Sequence, residues 1–424
     1  MRIIGSLLVV LAVAVAACTT TSGSGSVSGS ESATPTSGRS TPTVPVLEED
    51  EDDETPTPGP LVTPTVGGSG WRYAYISEHE HADSNLTDII ATGRKDAWAV
   101  GVDDGSLLVL RYDGSRWRQV DPPRGLGELP SDARVLAAAS APDNVWLLVP
   151  TISSADGMDT DTTAVRWDGS RWRKIPGKLE TVADLEVFAP DDVWTVYGVE
   201  RRHARRWDGR AWRKVRLPAE AESISGTGPS DLWAVGARDS GPGITRDEGS
   251  QPAAMHWDGR SWRLVSTPTY AFAAPKPPEG GAGLYSVLAL AAGDVWAVGE
   301  HTFNHGEVDN EPDDPPPVLL HWDGRQWTRR KAPTFGYCCP LPAPDRSGGI
   351  LLAVGSPGLG DSWRLSPDGR RTGVRRLPFI PGQKRGHRMF ALEALAGMPG
   401  PRTVWAVGRV GVGDDRRAVI ARYR

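Results

Sequence analysis

The chain has 424 residues, of which 39% are apolar, and a formal net charge of −6. Residues 1–70 hold eight acidic and two basic side chains, which accounts for that whole charge and leaves 45 acidic and 45 basic side chains in the remainder. A neutral domain has no overall field that attracts nucleic acid, so the composition argues against a nucleic-acid partner.

The N-terminus has the pattern of an export signal. Arg2 precedes an apolar run over residues 3–17 that is too short to span a bilayer and has the length of a signal peptide. The run ends in Val-Ala-Ala-Cys, which resembles the lipobox of bacterial lipoproteins. The resemblance implies that residues 1–18 are a lipoprotein signal peptide and that lipid on Cys18 anchors the protein to the extracytoplasmic face of the cell membrane. The alternative is an ordinary cleaved signal peptide followed by an unmodified cysteine.

Residues 19–66 have the composition of a disordered tether. They consist almost entirely of Ser, Thr, Gly, Pro and acidic residues, which offer too little apolar surface to offset the entropy of ordering. The acidic run at residues 48–54 repels itself and extends the segment. The segment is either a solvated spacer or, alternatively, an adhesive or calcium-attracting element.

From residue 67 onward the chain repeats one unit. Six tryptophans begin the phrase Trp-Ala-Val-Gly or a variant of it, namely Trp98, Trp146, Trp194, Trp233, Trp296 and Trp405. A second phrase follows, Trp-Asp-Gly-x-x-Trp, as at residues 167–172. Each unit contains four short runs that alternate apolar with polar residues, and the Asp-Gly pair favours a tight hairpin turn. The unit therefore predicts a four-stranded antiparallel sheet.

Counting these units predicts a closed ring of seven. The sixth unit is degenerate, and its aromatic positions are assigned to Leu352, Pro367 and Thr372. The last unit stops before its fourth strand, whereas the segment around Trp71 reads like residues 114–119. An N-terminal strand that completes the last sheet would remove the unpaired edge at the seam. We predict an all-β fold over residues 67–424, a seven-bladed β-propeller with four-stranded antiparallel blades.

The repeat also points to a family. The 358 residues of this region give about 51 per blade, close to the kelch period of about 50. The pattern apolar-Val-Gly, then Trp or Tyr before Asp, then Trp, resembles kelch repeats over the whole region. The resemblance implies a propeller of the galactose-oxidase type.

The connections within each unit predict where a ligand would bind. Both short turns, between strands one and two and between strands three and four, lie at one end of the blade. The longer connections lie at the other end, here called the loop-rich face, where rigid sheets support variable loops. The longest inserts are expected in blades 2, 4 and 5, at residues 150–163, 238–253 and 300–317.

Several polar side chains on the loop-rich face are candidate ligand contacts: Tyr337, His79, His81, His301, His305, His387 and Arg202. Histidine with carboxylate is a frequent ligand set for transition metals. Two such sets are His79, His81 and Asp83, and His301, His305 and Glu307. In the acidic insert of blade 2, Asp156, Asp159 and Asp161 are candidate calcium ligands. The alternative in each case is a solvated loop, and Arg202 either packs against a neighbouring ring or contacts an anionic wall polymer or lipid headgroup.

Cys338 and Cys339 are adjacent, just before the inner strand of blade 6. Their α-carbons lie about 3.8 Å apart, closer than in most disulfides, although an oxidising compartment favours the bond. The pair forms either a vicinal disulfide or two buried thiols. A disulfide would either provide a stacking platform beside Tyr337 or stiffen the degenerate blade.

The sequence contains no nucleophile elbow, phosphate-binding loop, dinucleotide fingerprint or zinc-protease helix. We therefore interpret the protein as a membrane-anchored binding or scaffold module whose loop-rich face engages an extracytoplasmic protein or glycan. The alternative is an extracytoplasmic metal-dependent or quinone-dependent enzyme acting on carbohydrate or alcohol.

Overall fold

A computed structural model describes residues 70–77, 84–130, 132–153, 160–198, 202–239, 249–273, 276–277, 280–304, 313, 315–337, 339–345, 348–366, 368–380, 388–399, 403–411 and 416–424. The predicted signal peptide, Cys18 and the tether lie outside these residues. Within them the regular secondary structure is entirely β, and no helix is present that is long and apolar enough to cross a membrane.

The strands form seven antiparallel sheets, which are the blades of a propeller. The first strand of the chain is β1 (Trp71–Ile76). Blade 1 contains β2 (Ser84–Gly93), β3 (Asp96–Asp103), β4 (Ser106–Tyr112) and β5 (Trp117–Gln119). Blade 2 contains β6 (Leu136–Ala141), β7 (Asn144–Ile152), β8 (Thr160–Trp167) and β9 (Trp172–Lys174). Blade 3 contains β10 (Asp184–Ala189), β11 (Asp192–Val196), β12 (His203–Trp207) and β13 (Trp212–Arg216).

The remaining blades follow the same order from the inner to the outer strand. Blade 4 contains β14 (Ser223–Gly228), β15 (Asp231–Arg238), β16 (Gln251–Trp257) and β17 (Trp262–Val265). Blade 5 contains β18 (Gly281–Ala291), β19 (Asp294–Thr302), β20 (Val318–Trp322) and β21 (Trp327–Arg329). Blade 6 contains β22 (Leu341–Asp345), β23 (Gly349–Ala353), β25 (Ser362–Leu365) and β26 (Arg371–Gly373). Blade 7 contains β27 (Met389–Gly397), β28 (Val404–Val410), β29 (Arg417–Tyr423) and β1.

The N-terminal strand closes the ring, as predicted. β1 pairs with β29 in the register Trp71 to Tyr423 and supplies the outer strand of blade 7. A short strand, β24 (Ser356–Pro357), from the connection within blade 6 pairs with β27 and makes this sheet five-stranded. The seven-bladed fold is therefore confirmed, with one added strand at the inner edge of the last blade.

The core lies between blades and is built from the repeated tryptophans. Trp98 of blade 1 contacts Trp167 and Trp172 of blade 2, with ring centres 5.7 and 5.6 Å apart. Equivalent triads join blades 2 to 3, 3 to 4, 4 to 5 and 7 to 1. Edge-to-face pairs of this kind add about 0.5–1.5 kcal/mol beyond the apolar area that they bury. The tryptophans of the motif therefore stabilise the ring by packing between neighbouring blades.

A cation or imidazole covers many of these tryptophans. Arg111 lies 4.6 Å above the Trp98 ring and is held by Asp96 at 2.7 Å. Arg206 occupies the same position over Trp194, so packing is the role of this arginine in the basic segment of blade 3. His256 stacks on Trp233 with ring centres 4.6 Å apart, which confirms that it faces the next blade.

In blade 6, the strand pairing shows that the sequence analysis assigned the wrong residues to the aromatic positions of the repeat. Leu351 pairs with Arg364, as Trp98 pairs with Arg111, and it packs toward blade 7. The three positions are therefore occupied by Leu351, Leu365 and Arg371, not by Leu352, Pro367 and Thr372. Leu352 packs on the blade 5 side instead. The error arose because Gly355 lies four positions after Leu351, whereas Gly101 lies three positions after Trp98, and because the turn after Leu365 is one residue longer than in blade 1.

The glycine of the Trp-Ala-Val-Gly motif allows close approach of the inner strand. A Cβ at Gly299 would lie 1.9 Å from the carbonyl oxygen of Gly283, and Gly101 has the same relation to Asn85. In both blades the inner strand shifts register next to this contact. The motif requires glycine here because any side chain would collide with the backbone.

The two tight turns of a blade adjoin, as expected. Gly114 has φ 93°, and a Cβ there would meet the Lys95 side chain at 2.8 Å. Asp113 accepts hydrogen bonds from the Ser115 hydroxyl and from the N–H groups of Ser115 and Arg116, which lower the pKa of its carboxyl. The Asp-Gly pair is therefore a side-chain-stabilised turn, and the long connections lie at the opposite end.

Candidate ligand-binding surface

The structure describes three of the predicted ligand contacts, His301, Tyr337 and Arg202, together with Cys339. Other candidates lie outside the described residues and stay predictions: His79, His81, Asp83, Asp156, Asp159, His305, Glu307, His387 and Cys338. The part of the chain that the structure describes contains no group of three or more His, Cys, Asp or Glu side chains placed to hold a metal ion.

Two of the charged candidates form surface ion pairs. Arg202 approaches Asp239 of blade 4 to 2.6 Å, and 51% and 41% of the two side chains are exposed. Asp161 lies in β8, because the blade 2 hairpin is longer than the sequence suggested, and pairs with Lys178 at 2.5 Å. Exposed pairs of this kind contribute at most about 1 kcal/mol.

The phenylalanines and tyrosines are distributed differently from the tryptophans. Six of the 14 Tyr and Phe residues fall between residues 270 and 337, around blade 5, and none of them occupies a repeat position. These six are Tyr270, Phe272, Tyr285, Phe303, Phe335 and Tyr337. A tryptophan triad already fills the interface between blades 4 and 5, so Tyr270, Phe272 and Phe303 are additional to the repeated packing there. Tyr285 and Phe335 pack against the apolar cluster between blades 5 and 6.

On the blade 4 side, four rings and one cation form what we call the aromatic cluster: Tyr270, Phe272, His301, Phe303 and Arg329. His301 and Phe272 have ring centres 4.2 Å apart, and Tyr270 lies 5.4 Å from His301. The Arg329 guanidinium lies 4.1 Å above Tyr270. Phe303 is only 5% exposed, while Tyr270, Phe272 and His301 are half-buried.

Local structure explains how the cluster forms. Successive side chains of a strand point to opposite faces of the sheet. Trp296 on β19 packs toward blade 6, and His301 lies five residues later on the same strand, so it projects toward blade 4. Tyr270 is fixed by Gln251, whose side-chain amide donates to its carbonyl at 2.8 Å and accepts from its N–H at 2.7 Å. The rings are therefore held in place by blades 4 and 5 and by the hydrogen-bonded connection between them.

Burial and a neighbouring cation set the charge of the cluster. Burial, and then the positive charge of Arg329, lower the pKa of His301 below its usual value. The imidazole is therefore neutral at neutral pH and presents a flat aromatic face. Burial also raises the pKa of Tyr270, which stays protonated. The cluster offers stacking faces with few charges apart from Arg329.

A second group of rings lies on the blade 6 side. The Tyr285 hydroxyl donates to the carbonyl oxygen of Pro340 at 3.2 Å, and Phe335 packs beside it. Tyr337 is 45% exposed and precedes Cys339, whose φ is 65°. Among the described residues, the large apolar side chains with comparable exposure are Tyr337 and Leu264. Blade 5 is thus flanked by aromatic side chains on both sides.

The sequence analysis did not predict three half-buried acids in the inner strands. Asp88 accepts the N–H of Ala137 on the next blade at 2.7 Å, and Asp184 accepts that of Ile224 at 2.9 Å. Glu186 accepts the N–H of Gly226 at 3.1 Å. These bonds satisfy N–H donors on the open edges of β6 and β14. The available signal was an acid within an otherwise apolar strand.

Burial dominates the titration of these acids. It raises the pKa of Asp88 to about 7 and that of Glu186 to about 8, although backbone N–H donors oppose the shift. The pKa of Asp184 is raised for the same reason.

Comparison with solved structures finds similar chains at low sequence identity. YCF48 from Cyanidioschyzon merolae is 14% identical, with a TM-score of 0.46, over 84% of this chain and 99% of that one. The N-terminal domain of Nup159 is 12% identical, with a TM-score of 0.45, over 86% and 98%. The SapL1 lectin in complex with alpha methyl fucoside is 13% identical, with a TM-score of 0.40, over 71% and 97%. No protein-family model and no curated protein matches the sequence. The strand topology itself defines the class, a seven-bladed β-propeller.

Proposed function

We propose that the protein is an extracytoplasmic binding module, tethered to the membrane through lipid on Cys18, whose loop-rich face engages a protein or glycan ligand. The observation that carries the proposal is the aromatic cluster at blades 4 and 5. Its rings do not belong to the repeat and are fixed in place before any ligand arrives, and Tyr270, Phe272 and His301 are partly open to solvent. Preorganisation lowers the entropy cost of binding.

The chemistry of the cluster suits a ligand with a flat apolar face. A sugar ring or an apolar side chain can stack on Phe272 and His301, while the Tyr270 hydroxyl and the Arg329 guanidinium offer hydrogen-bond donors. Ligand sites commonly combine apolar walls with a few fixed polar groups. The predicted tether, residues 19–66, would let the propeller reach such a ligand at a distance from the membrane.

The test is capture from the cell envelope by the full-length protein in detergent. The bait variants are Phe272→Ala and His301→Ala, and the matched control is Leu264→Ala, which removes an apolar side chain that is 46% exposed on blade 4. Capture from protease-treated and from polysaccharide-depleted envelope separates a glycan from a protein ligand. We expect both cluster variants to lose at least ten-fold in retained ligand. Equal capture by all variants would contradict the proposal.

Anchoring is tested separately. Mass spectrometry of the membrane-extracted protein should show a lipid-modified Cys18 at the mature N-terminus, and Cys18→Ser should release the protein from the membrane fraction. An unmodified Cys18 in the extracted protein would end the lipoprotein part of the proposal without affecting the ligand surface.

A further inference from the structure

Two arginines share one aromatic ring in the connection between blades 6 and 7. The Arg376 guanidinium lies 4.7 Å from the centre of the Phe379 ring, and the Arg388 guanidinium lies 4.5 Å from it. Two positive charges are thus held within 5 Å of the same point. Two like charges held on one ring repel each other, and an anion that contacts both reduces that repulsion.

The backbone brings the two arginines together. Leu377, which is buried, donates its N–H to the carbonyl oxygen of Gly358 at 2.7 Å, and Gly358 donates its N–H to the carbonyl oxygen of Arg388 at 3.2 Å. Gly358 has φ 60°, and a Cβ there would meet the Leu377 carbonyl oxygen at 3.0 Å and the Phe379 ring at 3.4 Å. Gly358 is therefore hydrogen-bonded to the segments of both arginines, so their arrangement around Phe379 does not depend on a bound ligand.

The described residues do not neutralise this charge. Neither Arg376 nor Arg388 forms an ion pair with any residue that the structure describes. Within the same residues, the buried Nε of Arg388 has no hydrogen-bond acceptor. Asp361 is the acidic residue next to Gly360, which lies beside the Arg376 side chain. One carboxylate oxygen of Asp361 accepts the N–H of Gly336 at 3.2 Å. A guanidinium group without an anionic partner keeps its remaining N–H groups available to a bound anion.

We propose that Arg376, Phe379 and Arg388 form a binding site for a phosphate group. A carboxylate has two coplanar oxygens, which one guanidinium fork can satisfy, whereas a phosphate presents oxygens in several directions and can accept from two forks at once. Phe379 keeps both side chains oriented through cation–π contact. Both connections that build the site, strand two to three in blade 6 and blade 6 to blade 7, lie on the loop-rich face.

This site is independent of the aromatic cluster, because it lies at blades 6 and 7 and takes a charged group. The probe is inorganic phosphate, titrated calorimetrically into the full-length protein at low salt. The variants are Arg376→Gln and Arg388→Gln, which keep side-chain length and polarity without the charge. The matched control is Arg370→Gln, a neighbouring exposed arginine in the blade 6 turn.

We expect each site variant to weaken phosphate binding at least ten-fold and the control to bind like the parent protein. Arg388→Lys should weaken binding less than Arg388→Gln, because it keeps the charge but not the fork. Unfolding curves identify any variant that fails to fold, in which case the other arginine carries the test. Absence of phosphate binding by the parent protein, or equal binding by Arg376→Gln, Arg388→Gln and Arg370→Gln, would overturn the site.

The source of the phosphate group is settled by two further probes. Sedimentation with phosphatidylglycerol vesicles, but not with phosphatidylcholine vesicles, would identify an anionic lipid headgroup. Binding to a soluble polyglycerol phosphate without vesicle sedimentation would identify a phosphodiester polymer. In either case binding must decrease in Arg388→Gln, and a failure of that variant to change it would refute the assignment to these residues.

Discussion

Ring closure by the N-terminal strand gives the sharpest stability prediction. Trp71 is 2% exposed, contacts Tyr423 with ring centres 5.7 Å apart, and donates a hydrogen bond from its indole N–H to the Ser362 hydroxyl at 3.0 Å. It thus joins the seam strand β1 both to β29 of its own blade and to blade 6. Trp71→Ala removes all of these contacts at once.

The expected loss in the free energy of unfolding is about 3–5 kcal/mol, the usual cost of truncating a buried tryptophan. About 1 kcal/mol of it comes from the hydrogen bond to Ser362. Trp71→Phe keeps a ring but not the donor and should cost clearly less. The matched control, Leu264→Ala, removes an exposed side chain and should change stability by less than about 0.5 kcal/mol.

The assay is equilibrium urea unfolding followed by tryptophan fluorescence, with limited proteolysis of the folded protein as a second readout. A weakened seam should expose β1 to protease before the rest of the propeller, because local opening at the ring closure needs less free energy than global unfolding. A loss of less than about 1 kcal/mol in Trp71→Ala, with no new cleavage at β1, would refute the view that this strand closes the ring.

Two further predictions concern the inner strands. The folded pKa of Asp88, about 7, exceeds its ordinary value of 3.8, so the folded state binds more protons between these values and the free energy of unfolding falls as pH rises from about 4 to 7. The fall in the free energy of unfolding is below about 4 kcal/mol, because the side chain is only half-buried. The plot of urea midpoint against pH should become flatter in Asp88→Asn but not in Asp132→Asn, an exposed control. An unchanged slope in Asp88→Asn would contradict the assignment. Gly299→Ala should cost about 2–3 kcal/mol, because its methyl group would meet the Gly283 carbonyl oxygen. Gly228→Ala, where a Cβ meets nothing within 4 Å, should be nearly neutral in the same unfolding assay, and equal stability of the two variants would show that the contact is unimportant.

Part of the candidate surface could be predicted and part could not. The loop-rich end followed from connection lengths, and His301 and Tyr337 were expected on that face. Its neighbours Tyr270 and Phe272 were not expected, because they come from a connection of blade 4 that has no repeat pattern. The same holds for Arg376 and Arg388, which are 12 positions apart in the sequence and meet through Gly358.

The sequence by itself determined the ring: the number of blades, the strands within each blade, the Asp-Gly turns and the closure by β1. It could do so because each of these features is local and is repeated several times, so a periodic pattern identifies it. Only the tertiary structure decided which side chains meet across blades, such as Asp88 with Ala137 or His301 with Phe272. Those contacts depend on the register of neighbouring blades and on irregular connections, which leave no periodic trace in the sequence.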